Sequence, residues 1–203
     1  MSPDDAYALK NSAEVKRRLT LLNEPYMSPL TELVHDIRER HPKYQVPYHD
    51  PCDAGVKAQI LILLEAPGPK AVTTQFVSIN NPDQTAKNLG ILLADAGIDR
   101  REVLVWNVVP WYVGDGKRIR PVNRRDLAEA ALYLDKLLGL LPRLRYAVLM
   151  GLKAQRATQL EGREDLNIIK TYHPSPQVFN ISKEKKAETR AAFERLGERL
   201  KRA

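Results

Sequence analysis

Residues 60–64, 103–109, 146–150 and 167–172 form four short, largely apolar runs, each the length of a strand, and they constrain the fold more tightly than any other feature of the chain. Runs without polar alternation are what a parallel sheet needs when both of its faces are covered. The segments between them read as helices. Residues 85–96 place Leu89, Leu92, Leu93 and Ala96 at helical spacing and stop at Gly97, a residue suited to ending a helix. Asn123 is positioned to cap a long helix with Leu127, Ala130, Ala131, Leu134, Leu137 and Leu138 on one face. A shorter helix is expected over 152–160, and Ser182 opens a terminal one carrying Phe193, Leu196 and Leu200. Strands alternating with helices predict a three-layer α/β/α sandwich around a central, mainly parallel four-stranded sheet with right-handed crossovers. Two further helices, over 12–22 and from Ser28-Pro29 through Ile37, precede the core and are expected to pack on it as an extension covering residues 1–50. The stretch 41–53 is rich in Pro, Tyr and His and lacks periodicity, so it reads as irregular. No linker divides the chain, and one domain over residues 1–203 is expected.

In sheets of this kind ligands sit beyond the carboxyl ends of the strands. The loops after Leu64, Val109, Met150 and Tyr172 should therefore meet at one rim, and they hold the unusual residues. Glu65-Ala66-Pro67-Gly68-Pro69 follows the first strand, a loop stiffened by proline whose glycine lets backbone approach a ligand. His173-Pro174-Ser175-Pro176 follows the last. No phosphate-binding P-loop and no dinucleotide fingerprint occurs, so nucleotide-cofactor chemistry has no support. Cys52 is the only cysteine, which excludes intrachain disulfides, thiolate zinc sites and iron-sulfur clusters. His35, His41 and His49 lack a metal-site pattern, and no metal or cofactor is expected. The net charge of +7 permits attraction to a polyanion. Part of that excess, in 183–202, is expected to be a solvated helix face. Residues 1–10 carry acids where a secretory leader would be basic and then apolar, so an intracellular, cytoplasmic protein is expected.

Glu-Ala-Pro-Gly after the first strand and His-Pro-Ser-Pro after the last together resemble motifs one and two of the uracil-DNA glycosylase superfamily, and are most similar to its thermophile-type family four. The resemblance spans residues 59–180. It implies a monomeric hydrolase that flips uracil or a related deaminated base from single- or double-stranded DNA and cuts its bond to the sugar, leaving an abasic site. It further implies that Phe76 stacks on the flipped base and that Asn107 reads its edge, with Ala66, Pro67 and Gly68 lining the pocket. An asparagine carboxamide offers both an acceptor and two donors, which match the N3 hydrogen and O4 of uracil while mismatching cytosine. His173 would donate a hydrogen bond to O2 as negative charge gathers on the leaving base. Pro69, Ser175, Pro176, Gln177, Lys117 and Arg118 would meet DNA, with Gln177, Val178 or Phe179 wedged into the vacated stack.

The chain departs from the pattern in places. Leu64 replaces the glycine that usually opens the first motif, and the four cysteines that hold the family-four cluster are absent, which implies a cluster-free variant. The best-known branch carries an aspartate where this chain has Ala66; Glu65 is the nearest carboxylate and by resemblance would orient water. Residues 116–120 resemble a basic loop of a branch that crosslinks to uracil, but lack the histidine that crosslinking needs, so turnover without covalent capture is expected. That loop reads equally as phosphate contact or as solvated surface. Taken singly, Asn107 would read as a turn cap and Phe76 as core, and His173 equally as a satisfied surface histidine or a catalyst; their order along the chain carries the argument. Trp106 and Trp111 read as packing residues. An alternative is a module on the same fold that binds uracil-containing or abasic DNA without releasing the base.

Overall fold

The computed structural model describes residues 6–115 and 118–202. Asn11 caps the first helix, α1 (Ser12–Thr20), through its side-chain oxygen and the Ala13 amide. Helix α2 (Ser28–Arg40) begins with proline in its first turn and buries Leu30, Leu33, Val34 and Ile37. The irregular stretch expected over 41–53 contains a two-residue strand, β1 (Tyr48–His49), too short for any periodic signal. It pairs in parallel with β3 (Phe76–Val77).

The main sheet is built from β2 (Ile60–Leu64), β4 (Val103–Asn107), β5 (Tyr146–Met150) and β6 (Asn167–Thr171), in the order β4-β2-β5-β6 with every pairing parallel. All five residues of β2, of β4 and of β5 are buried, which explains their lack of polar alternation. Edge strand β6 differs: Asn167 and Lys170 are exposed and Ile168 and Ile169 half-buried. Helices flank the sheet, with α5 (Arg124–Gly139) against α2 and α7 (Lys183–Lys201) against α4 (Gln84–Asp95). The three-layer α/β/α sandwich expected from the sequence is the architecture observed. No helix among the described residues is long and apolar enough to cross a membrane.

Local chemistry sets the boundaries. Asp83 caps α4 by accepting from the Ala86 amide at 2.9 Å. Asn123 and Asp126 form a reciprocal capping box at the start of α5. Residues 152–160 are not the expected helix but two single 3₁₀ turns, Ala154–Arg156 and Thr158–Leu160. Ala157 between them is extended, and the Gln155 side chain donates to the Thr171 carbonyl at 2.8 Å, which draws this segment onto the end of β6.

The N-terminal helices are fastened to the core by charge as well as by apolar contact. Arg18 of α1 is 3% exposed; it donates to Glu14, to Asp50 at 2.5 Å and to Asn80 at 3.1 Å. Arg100 closes the same cluster from the other side, bonding Asp50 at 3.0 Å, Asp53 at 2.6 Å and Asn80 at 2.6 Å. Asp50 also accepts from the Ser78 hydroxyl. Trp111 is fully buried and stacked on Tyr44, and Trp106 is stacked on His49 at 3.6 Å between ring centroids, so both tryptophans pack as expected.

Candidate active site

The strand register dictates where the site can form. Leu64 at the end of β2 lies opposite Asn107 at the end of β4, so the loop that starts at Glu65 passes beside the asparagine. From Pro69 the chain enters the short helix α3 (Pro69–Thr74), with Gly68 as its N-cap. A cavity of about 280 Å³ opens at this rim, and Ala66, Pro67, Gly68 and Pro69 line it together with Asn107 and His173. Two loops separated by about a hundred residues are thus brought to one place. At that volume the cavity sits just under the usual range of about 300–1,000 Å³ for small-molecule sites, a scale that suits one planar ring.

Asn107 is 4% exposed, and its amide nitrogen has no hydrogen-bond partner in the protein. A buried donor left unpaired costs about 1–3 kcal/mol, and such a cost is tolerated where a ligand supplies the acceptor. His173 follows β6 and stands against Gly151, whose φ is +92°. The absence of a side chain at Gly151 lets the imidazole approach, because a Cβ there would lie 3.1 Å from the His173 Cβ. Sequence reasoning missed this glycine. Burial pushes the imidazole down to about 4, so at neutral pH it is uncharged and offers one N–H donor. The loop after His173 is held by helix α4, where the Asn88 amide donates to the Pro174 carbonyl at 2.8 Å.

Not every residue expected at the site is there. Phe76 is fully buried in a separate cluster with Leu9 and Leu22, against Val15, Leu19 and Tyr48, and does not line the cavity. Side chains alternate along a strand, and in β3 it is Val77 that reaches the cavity, so Phe76 is directed away from it. The stacking role expected of Phe76 is therefore corrected to a packing role beneath α1. Glu65 also fails to line the cavity: its carboxylate accepts from the Val122 amide at 3.2 Å, ahead of α5. It holds a neighbouring loop rather than a water in the pocket.

Ser175 is the N-cap of α6 (Pro176–Phe179), where Pro176 occupies the first turn. Gln177 is exposed and Val178 half-buried; Phe179 is 6% exposed and packs into the core, which removes it as a wedge. None of 175–179 lines the cavity. Lys117 lies outside the described residues. Arg118 lines a second depression, of about 490 Å³, with Lys43, Tyr44, Tyr112 and Arg120, and Ile119 borders both cavities. Sequence reasoning also missed Ser78, Asn81 and Asp83, which line the first cavity from the segment between β3 and α4. Asp83 is the carboxylate at this wall, and burial raises its carboxyl above the ordinary range. No group of three or more His, Cys, Asp or Glu residues among the described residues is placed to hold a metal ion.

The model of the family described as "Uracil DNA glycosylase superfamily" matches residues 52–197, well over half of the chain, and the protein belongs to that superfamily. The match takes in both rim loops. Among solved structures, a mimivirus UNG variant in complex with UGI is similar at 16% identity, with a TM-score of 0.42, over 78% of this chain and 68% of the viral one. No curated protein matches.

Proposed function

We propose that the protein is a monofunctional DNA glycosylase that hydrolyses the N-glycosidic bond of uracil, or of a related deaminated base, flipped out of DNA. The observation that carries this reading is the unpaired amide of Asn107 in the same cavity as His173. A flipped pyrimidine presents its pairing edge to the pocket. The Asn107 carboxamide accepts from N3–H and donates to O4, and cytosine, with an acceptor at N3 and a donor at N4, reverses both contacts. As the bond to the sugar stretches, neutral His173 donates to O2, where charge accumulates on the departing base. A donor fixed before the reaction needs no reorganisation in the transition state, and one such bond is typically worth about 2.7–4 kcal/mol. Backbone of the Ala66–Gly68 segment would bound the ring; Pro69 at the cavity wall, Ser175, Pro176, Gln177 and Arg118 beyond it, and Lys117 are assigned to DNA. The motifs are most similar to those of family four, in a form that carries no cluster.

The test is direct. Purified protein incubated with a uracil-containing oligonucleotide and then treated with alkali is expected to yield strand breaks at the uracil; intact strands with both single- and double-stranded substrates would refute the assignment. A second reading is favoured by Ala66 and by the engagement of Glu65 with Val122: a module that binds uracil or abasic DNA without cleavage. Retention of uracil DNA in a binding assay, without any released base, would select it.

A further inference from the structure

We infer that Asp83 is the carboxylate that orients the attacking water, takes its proton and faces the positive charge that develops on the sugar; this rests on the glycosylase reading above. The first loop supplies no carboxylate that can do so. Position 66 is alanine, and Glu65 is turned to the Val122 amide outside the cavity. Among the described residues that line the cavity, Asp83 alone is acidic, and Lys70 and His173 are the other ionisable groups. The unpaired Asn107 amide, 4% exposed in the same cavity, independently marks the space as one that awaits a polar ligand.

The position of Asp83 is fixed by the helix it begins. Its Oδ1 accepts from the Ala86 amide at 2.9 Å, so the side chain is held in one orientation before any substrate arrives. A carboxylate has about four lone-pair sites, and capping leaves acceptor capacity for a water molecule. Partial withdrawal from solvent raises the basicity of the group, the direction that suits a proton acceptor.

The step balances without a co-reactant other than water. The N1–C1′ bond breaks and its electron pair leaves with the base, whose O2 is held by His173. A water lone pair forms the new C1′–O bond, and the water proton passes to the Asp83 carboxylate. The base anion then takes a proton from solvent and Asp83 returns its own, so that one water is consumed and uracil and an abasic site are formed.

Asparagine caps a helix as well as aspartate but carries neither charge nor basicity. Asp83→Asn therefore separates the two roles. Single-turnover release of uracil by Asp83→Asn is expected to fall by about 10²–10⁴-fold, with the Tm and the affinity for uracil-containing DNA close to those of the unaltered protein. An unchanged rate overturns the assignment, as does a loss explained wholly by weaker binding or a lower Tm. If the unaltered protein releases no uracil, the glycosylase reading falls and takes this inference with it; if it is active and Asp83→Asn is equally active, only this inference falls.

Discussion

Gly151 and His173 are in direct contact across the ends of β5 and β6, close enough that an added Cβ at Gly151 would stand 3.1 Å from the His173 Cβ. Gly151→Ala is expected to slow base release by displacing the imidazole, in addition to a stability loss of about 1–3 kcal/mol from the unfavourable φ. His173→Ala should remove the donor itself and lower the single-turnover rate about 10²–10³-fold with little change in Tm. Rate and melting temperature measured on both variants separate the two effects; an equally active His173→Ala would remove the histidine from the mechanism.

Asn107→Asp replaces a donor and acceptor pair by acceptors alone. Uracil O4 would then face a carboxylate oxygen, whereas the cytosine amino group would find an acceptor. The ratio of uracil to cytosine excision should fall by at least about tenfold. Competition between the two bases in otherwise identical oligonucleotides measures it, and an unaltered ratio would show that Asn107 does not read the base.

Phe76 now carries a stability prediction rather than a binding one. Phe76→Ala empties a fully buried site and is expected to cost about 3–5 kcal/mol in urea unfolding. Phe76→Leu keeps most of the volume and should leave the KM for uracil DNA unchanged. A large rise in KM for the leucine variant would return the ring to the pocket.

His49 is 1% exposed, with neither ring nitrogen bonded, and burial pushes it down to about 3. The unfolded chain takes up this proton near pH 6.5 whereas the folded one resists it. Its contribution to stability is therefore fully present above pH 6.5 and is lost as pH falls from there towards 3. His49→Phe keeps a ring on Trp106 and removes the titration. The variant's advantage in unfolding free energy should grow as pH drops from 7 to 5; a pH-independent difference would mean that the imidazole is bonded in solution.

Arg18→Met should strip one cation from Asp50, which is completely buried, and leave Arg100 as its remaining guanidinium. Breaking a buried ion pair from one side typically costs about 3–5 kcal/mol, and the loss here is expected at the lower end. Because Asp50 also holds Ser78 in the cavity wall, uracil affinity should weaken along with stability. A variant as stable as the parent would contradict this.

Ile60–Leu64 and Tyr146–Met150 were readable because central parallel strands must be apolar on both faces. Asn123 sits where a cap is needed, and Asn107 and His173 stand out through their resemblance to the superfamily's motifs, on strands whose ends a parallel sheet gathers at one rim. Phe76 was misassigned because composition does not reveal which of two alternating faces a two-residue strand presents. Gly151 was passed over since its role is a close approach between residues 22 positions apart in sequence. The Arg18, Asp50, Asp53 and Arg100 cluster had no local signature: the two aspartates share one turn, the arginines come from α1 and from a 3₁₀ turn over 100–102, and only tertiary folding makes their charges compensate.

The strictly parallel connectivity β4-β2-β5-β6 has a kinetic corollary. Every neighbour in that sheet is won by closing a long loop, which makes for slow assembly. As the polypeptide emerges from the ribosome, Asn107 and the proline turn are in place long before the imidazole that must complete them. A product truncated before residue 173 would thus hold Asp83 and Asn107 without the imidazole that the proposed reaction requires.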